Sequence, residues 1–222
     1  MRLPTPLAAV VFDMDGTLLD TETLYEQVMM ESARDMGRTL TEALHLSLIG
    51  TPAEEGDRLI LEAFGAGFDV EAFRHRVHHG LEVLAVQGVP LKRGALELLT
   101  FLRARGVGTG LATSTARNLA LPRLERSGIA SLLDVVVTRC DVKEGKPHPE
   151  SYLTAARGLG AAPQACIAVE DSHTGVRSAA ASGMATIMTP DLLAPTPQIA
   201  ALCVAVVDGL DVLHQRLAHH LG

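Results

Sequence analysis

Two pairs of carboxylates in this chain sit where acids are costly: Asp13 with Asp15 in the run Phe12-Asp13-Met14-Asp15-Gly16-Thr17, and Glu170 with Asp171 directly after Val169. Each pair closes a short apolar stretch, and like charges so close raise one another's pKa unless a cation intervenes. Either one carboxyl is protonated at neutral pH or a divalent metal is present. If neighbouring strands bring both pairs together, four converging carboxylates require a hard dication with oxygen ligands, and Mg2+ that keeps some of its waters suits them. Gly16 allows a sharp turn and close backbone approach to a ligand. Asp-x-Asp-Gly also occurs in calcium loops, but counting from Asp13 puts Thr17 and Leu24 where further oxygen ligands belong, so the bidentate acid of such a loop is missing.

Two further stretches bear on the same chemistry. Leu111-Ala112-Thr113-Ser114-Thr115 ends a second apolar run just before a helix. Hydroxyls there are commonly helix N-caps, and the same geometry offers free N–H groups and a hydroxyl to a phosphate. Gly145-Lys146-Pro147-His148-Pro149-Glu150 holds a lysine on a stiff turn, since proline biases the preceding residue toward extended backbone. Only Lys92, Lys143 and Lys146 are lysines among 19 cations, so arginine is the habit of this chain. A compact ammonium between carboxylates and a phosphoryl oxygen resists replacement by a wide, planar guanidinium, which gives Lys146 a candidate role. His148 reads as a turn residue.

The elements that must position these side chains follow from periodicity. Ala8 to Phe12, Val107 to Ala112, Val135 to Val137, Cys166 to Val169 and Ala185 to Met188 are short apolar runs of the kind buried on both faces of a parallel sheet. Asn118 to Arg126, Pro149 to Leu159 and His173 to Ala181 read as helices between them. The alternation predicts an α/β, doubly wound, Rossmann-like fold whose ligands bind beyond the carboxyl ends of the strands. From Asp20 to Ala85 no strand is expected. Leu24, Tyr25, Val28, Met29, Ala33 and Met36 share one helical face, as do Phe73, Val77, Leu81 and Leu84, with breaks at Gly50-Thr51-Pro52 and Gly65-Ala66-Gly67. The expected organisation is a core of residues 1–19 and 86–222 with a helical cap, 20–85, inserted after the first strand as a lid.

Composition narrows the partners. The 222 residues carry 19 basic and 26 acidic side chains, a net charge of −7 that argues against nucleic acid or an anionic membrane as partner. Aromatics make up 3% with no Trp, so an aliphatic core is expected and base stacking is disfavoured. Cys140, Cys166 and Cys203 are scattered and odd in number, which reads as small buried thiols in a reducing compartment. The longest apolar run, Ile199 to Val207, is far short of the roughly 20 residues of a membrane span. A soluble, cytoplasmic monomer is expected.

The four motifs in this order resemble the haloacid dehalogenase-like superfamily of phosphohydrolases, in the branch with a helical cap after the first strand that includes β-phosphoglucomutase and many sugar-phosphate and nucleotide phosphatases. The first motif spans Val10 to Asp20. The resemblance implies that Asp13 is the nucleophile that becomes an aspartyl phosphate and that Asp15 is the general acid and then the base, protonated for the first step. It implies that Thr113, with the Ser114 backbone, donates to the phosphate and that Lys146 steadies the nucleophile and the phosphoryl charge. Asp171 and neighbouring Glu170 would hold Mg2+ together with Asp13 and the Asp15 carbonyl. Dehalogenation itself is disfavoured because those relatives lack the second aspartate.

In β-phosphoglucomutases the Thr17 position is typically valine, a histidine stands at Tyr25, and a cap arginine lies near Ala53. These three departures favour a phosphatase for a small phosphorylated metabolite, of sugar-phosphate or nucleoside-monophosphate type, over a mutase. A receiver-type signalling domain shares the acids, hydroxyl and lysine but is about half this length and has no cap. A non-catalytic interaction protein finds no support, since every catalytic position is filled. No G-x-G-x-x-G follows the first strand, which disfavours a dinucleotide enzyme.

Overall fold

The computed structural model describes residues 3–49, 51 and 53–222, with the side chains of residues 22, 53, 82 and 85–87 left aside. Six strands, β1 (Ala9–Phe12), β2 (Gly108–Ala112), β3 (Val135–Val137), β4 (Cys166–Glu170), β5 (Ala185–Met188) and β6 (Ala205–Val206), form one sheet in the order β3-β2-β1-β4-β5-β6, and every pairing is parallel. Among the described residues, β1 is followed by α1 (Thr21–Asp35), α2 (Glu42–Leu48), α3 (Ala53–Phe64) and α4 (Val70–Gln87). They are followed by α5 (Ala95–Ala104), α6 (Arg117–Arg126), α7 (Glu150–Gly158), α8 (His173–Ala181), α9 (Pro197–Ala200) and α10 (Leu210–Leu221). The chain divides into two compact units, Met1–Asp20 with Pro90–Gly222, and Thr21–Val89.

The sheet unit is doubly wound because its strands are apolar on both faces. Every residue of β1 and β4 is buried. Ala9 and Val11 pack with Tyr152, Ala155 and Ala156 of α7 and with Ala179 of α8, while Val10 and Phe12, which alternate to the opposite face, are also fully buried. α5 packs on β2 and on α10. Strands β1, β2 and β3 proceed one way from the centre and β4, β5 and β6 the other. The β1/β4 junction is therefore the switch point beyond which ligands of such sheets bind. Phe12 pairs with Val169 and with Leu111, so Asp13, Glu170 and Thr113 all emerge at that one edge.

The helical unit has a core of its own. Val28, Met29 and Ala33 of α1 meet Phe73 and Val77 of α4, with Leu40, Ile60, Phe64 and Phe68. Phe64, Phe68 and Phe73 stack edge to face, with centroids 4.8, 6.2 and 5.7 Å apart. The expectation of an aliphatic core thus fails in this unit, which gathers three of the five phenylalanines. Thr41 caps α2, its Oγ1 accepting from Leu44 N. Gly65 ends α3 as expected of a break, whereas Gly50 and Pro52 of the other expected break lie outside the described residues.

Two further expectations are corrected. Tyr25, assigned to the buried face of α1, is 42% exposed. Cys140 is exposed rather than buried, since it sits in a short 3-10 turn at the surface. The apolar run Ile199 to Val207 contains the end of α9, a turn and two-residue β6 at the sheet edge. Among the described residues no helix is long and apolar enough to cross a membrane.

Candidate active site

Asp13, the first residue beyond β1, donates its backbone N–H to Val169 O, continuing the β1/β4 ladder, and its carboxylate enters the space over the switch point. Lys146 Nζ donates to Asp13 Oδ1 and to Glu170 Oε1, both at 2.5 Å, and its side chain is only 6% exposed. The Lys146–Pro147 bond is cis. Asp13, Glu170 and Asp171 each present a carboxylate oxygen within 4.8 Å of the others.

Glu170 is wholly buried and spends both oxygens on hydrogen bonds. Oε1 accepts from Lys146 and from Tyr152 Oη at 2.9 Å; Oε2 accepts from the N–H groups of Asp171 and Ser172 and from Ser172 Oγ. Asp171 Oδ1 accepts from Thr17 Oγ1 at 2.9 Å. Two glycines make room for these acids. Gly16 has φ +81°, and a Cβ there would lie 2.5 Å from Asp171 Oδ2. A Cβ on Gly175, in the first turn of α8, would lie 1.8 Å from Glu170 Oε1.

The electrostatics report an excess of negative charge. Burial, then Glu170, Asp171 and Asp15, push the Asp13 carboxyl well above its ordinary value against the opposing pull of Lys146. Burial and Glu170 push Asp171 up to about 8. Burial acts to lower Lys146, yet Asp13 and Glu170 outweigh it and hold its ammonium above the usual lysine value. One lysine does not balance three carboxylates, so the donor set suits a hard cation, which would reverse the rise at both aspartates. Asp13 and Asp171 are the better placed ligands. Glu170 has its oxygens committed to protein donors.

Asp15 stands apart from this cluster. Its Oδ2 accepts from Thr115 Oγ1 at 2.6 Å and its Oδ1 pairs with Arg123 Nη1 at 3.1 Å. Thr113 is buried, and its Oγ1 accepts from Thr115 N at 3.0 Å; Ser114 is exposed at the same edge. Neither caps α6, whose N-cap is Ala116 without a side-chain bond. His148, in a surface turn, pairs with Glu144 at 2.8 Å. In the helical unit, Tyr25 and Thr51 line a cavity of about 500 Å3 together with His45, whose buried ring nitrogens have no partner among the described residues.

The sequence reading missed Arg123, Thr115 and Tyr152. Thr115 stood in a run already singled out for its hydroxyls, and Tyr152 lay on an expected helix. Arg123 carried no signal, being one of 16 arginines.

The parallel sheet brings acids and a buried lysine together at its switch point, and the sequence profile of the haloacid dehalogenase-like hydrolases matches residues 7–183. The chain belongs to that family. It is 36% identical over 181 residues to a phosphorylated carbohydrates phosphatase of Thermotoga maritima, covering 82% of this chain and 84% of the relative. Hexitol phosphatase A of Escherichia coli is 34% identical over 192 residues, covering 85% of each. A family hydrolase of Deinococcus radiodurans, solved with bound phosphate and sodium, superposes with a TM-score of 0.85 at 26% identity over 97% of both chains. The chain is a phosphoric monoester hydrolase by family and relatives.

Proposed function

We propose that the protein is a Mg2+-dependent phosphatase that hydrolyses a small phosphorylated metabolite, a sugar phosphate or nucleoside monophosphate, through an aspartyl phosphate on Asp13. The observation that carries this reading is the Asp13 carboxylate, held by the Lys146 ammonium 2.5 Å away at the sheet's switch point. A carboxylate fixed at one oxygen is oriented for attack on phosphorus, and splitting hydrolysis into transfer to and release from Asp13 replaces one hard step by two easier ones. Asp13, Asp171 and the Asp15 carbonyl would hold Mg2+, with Glu170 alongside; when bound it would offset the charge spread over the phosphoryl oxygens. Lys146 adds a buried positive charge where that negative charge develops. Thr113 and the Ser114 backbone are assigned to the phosphate oxygens. Asp15 gives a proton to the departing oxygen and later takes one from water.

Phosphatase is favoured over mutase by relatives named phosphatases and by Thr17, whose hydroxyl is engaged with Asp171 where mutases typically have valine. The test is hydrolysis of p-nitrophenyl phosphate with and without Mg2+. Wild-type turnover that needs the metal and vanishes in Asp13→Asn is the expected result; turnover unaffected by Asp13→Asn sinks the reading. A panel of sugar phosphates and nucleoside monophosphates then ranks the substrates by kcat/KM.

A further inference from the structure

Arg123 is unlike the other ion-paired arginines described here. Arg58, Arg74, Arg76, Arg93 and Arg117 make their pairs with side chains 48–78% exposed, whereas the Arg123 side chain is 19% exposed and reaches Asp15 across 108 residues. Exposed pairs contribute little, because solvent screens them and two long side chains must be ordered. Arg123 instead projects from α6, a regular element fixed to the sheet unit, and it meets the oxygen of Asp15 that Thr115 does not take. Two donors from two different positions leave a carboxylate little rotational freedom. A single hydrogen bond would let it turn about its own axis.

We propose that Thr115 and Arg123 form a two-point clamp that sets the direction of the Asp15 carboxylate, which makes Arg123 a positioning residue for the proton transfers at Asp15. The inference rests on the phosphatase reading above. In the second half-reaction a water oxygen bonds to the phosphorus of phospho-Asp13 while the Asp15 carboxylate takes a proton from that water. The bond between phosphorus and the Asp13 oxygen breaks, its electron pair stays with Asp13, and inorganic phosphate leaves. In the first half-reaction the same group delivers a proton to the departing oxygen. An alkoxide leaving group depends on that proton far more than p-nitrophenolate does, so misdirecting Asp15 penalises an alkyl phosphate more severely.

The test compares Arg123→Leu, Arg123→Lys and Thr115→Val on p-nitrophenyl phosphate and on glucose 6-phosphate. Arg123→Leu is expected to lower kcat roughly tenfold on the aryl ester and about a hundredfold or more on the alkyl ester, where the loss enters the range over which general acid–base groups act. KM stays nearly constant. Arg123→Lys, which keeps one donor for one oxygen, restores part of the loss, and Thr115→Val shows the same leaving-group bias. An equal loss on both esters, a change confined to KM, or no rescue by lysine overturns the clamp. A crystal structure of Arg123→Leu supplies a readout independent of turnover: an Asp15 side chain unmoved from its wild-type rotamer overturns the proposal as well. Failure of wild-type protein to hydrolyse either ester would instead remove the phosphatase reading itself.

Discussion

Lys146 meets two carboxylates through a single nitrogen, with the ring of Tyr152 5.1 Å from that nitrogen. An ammonium can direct its three protons to separate acceptors from one point, while a guanidinium spreads its donors over a rigid plane. In a position this enclosed the wider group has no room to place a donor on each acid. Lys146→Arg is therefore expected to lower kcat by about a hundredfold or more, the cost of losing one preorganised donor, while the variant retains its far-ultraviolet circular dichroism. Activity within a few-fold of wild type would show that charge alone suffices there. This lysine was legible from composition because the chain otherwise prefers arginine, and the acids were legible because paired carboxylates after apolar runs need an explanation. Arg123 and Tyr152 were not, because their meaning depends on contacts 108 and 18 residues away along the chain. Lys92, for which the sequence offered no role, pairs with Asp191 at 2.7 Å and with Asp20 at 3.6 Å.

Among the elements, β4 and α8 do the most for the site, since the turn between them supplies two N–H groups to Glu170 and the Ser172 N-cap of α8 supplies a hydroxyl. Helix α8 begins so close to Glu170 that only hydrogen fits on the Gly175 Cα. Gly175→Ala forces either the carboxylate or the helix to move. The expected outcome is a loss of about 2–4 kcal/mol in urea denaturation, in the range for overpacking with a disturbed buried charge network, together with weakened Mg2+ stabilisation. A variant as stable as wild type would mean that the first turn of α8 yields at little cost. The strands β1 to β5 were readable because burial on both faces writes a continuous apolar run. The others had no such signature: β6 is two residues long at an edge, and α5 and α10 fell where no motif drew attention.

For the whole molecule, acidity is unevenly spread: residues 20–85 hold 13 acids and five arginines, a balance of −8, and the remainder holds 13 acids and 14 cations, or +1. The inference that an acidic chain avoids anions is therefore too coarse, because the sheet unit that bears the site is nearly neutral. A consequence for stability follows from the raised carboxyls. Burial and Glu170 push Asp171 from its ordinary 3.8 up to about 8 in the folded chain, and Asp13 is displaced in the same direction. Between these limits the folded state holds protons that the unfolded state has released, so folding stability falls as pH rises through the window. Metal-free protein is expected to have a lower Tm at about pH 8 than at about pH 5, and saturating Mg2+ is expected to raise Tm more at the higher pH, since it competes with those protons. Calorimetry with chelator and with Mg2+ checks this; an equal gain at both values would mean that the acids are not the metal's ligands.

The chain leaves the sheet unit at Asp20 and re-enters it at Pro90, where Asp20 N donates to Pro90 O at 2.8 Å and Leu19 bridges Leu91. The two crossings are thus zipped side by side, like the stem of a hairpin. A detour that starts and finishes at adjacent points can be lengthened, shortened or exchanged without altering the register of any strand, and its closure entropy grows only logarithmically with its length. Selection could therefore rework the helical unit as an interchangeable cassette while the acids, the lysine and the sheet that holds them stayed fixed.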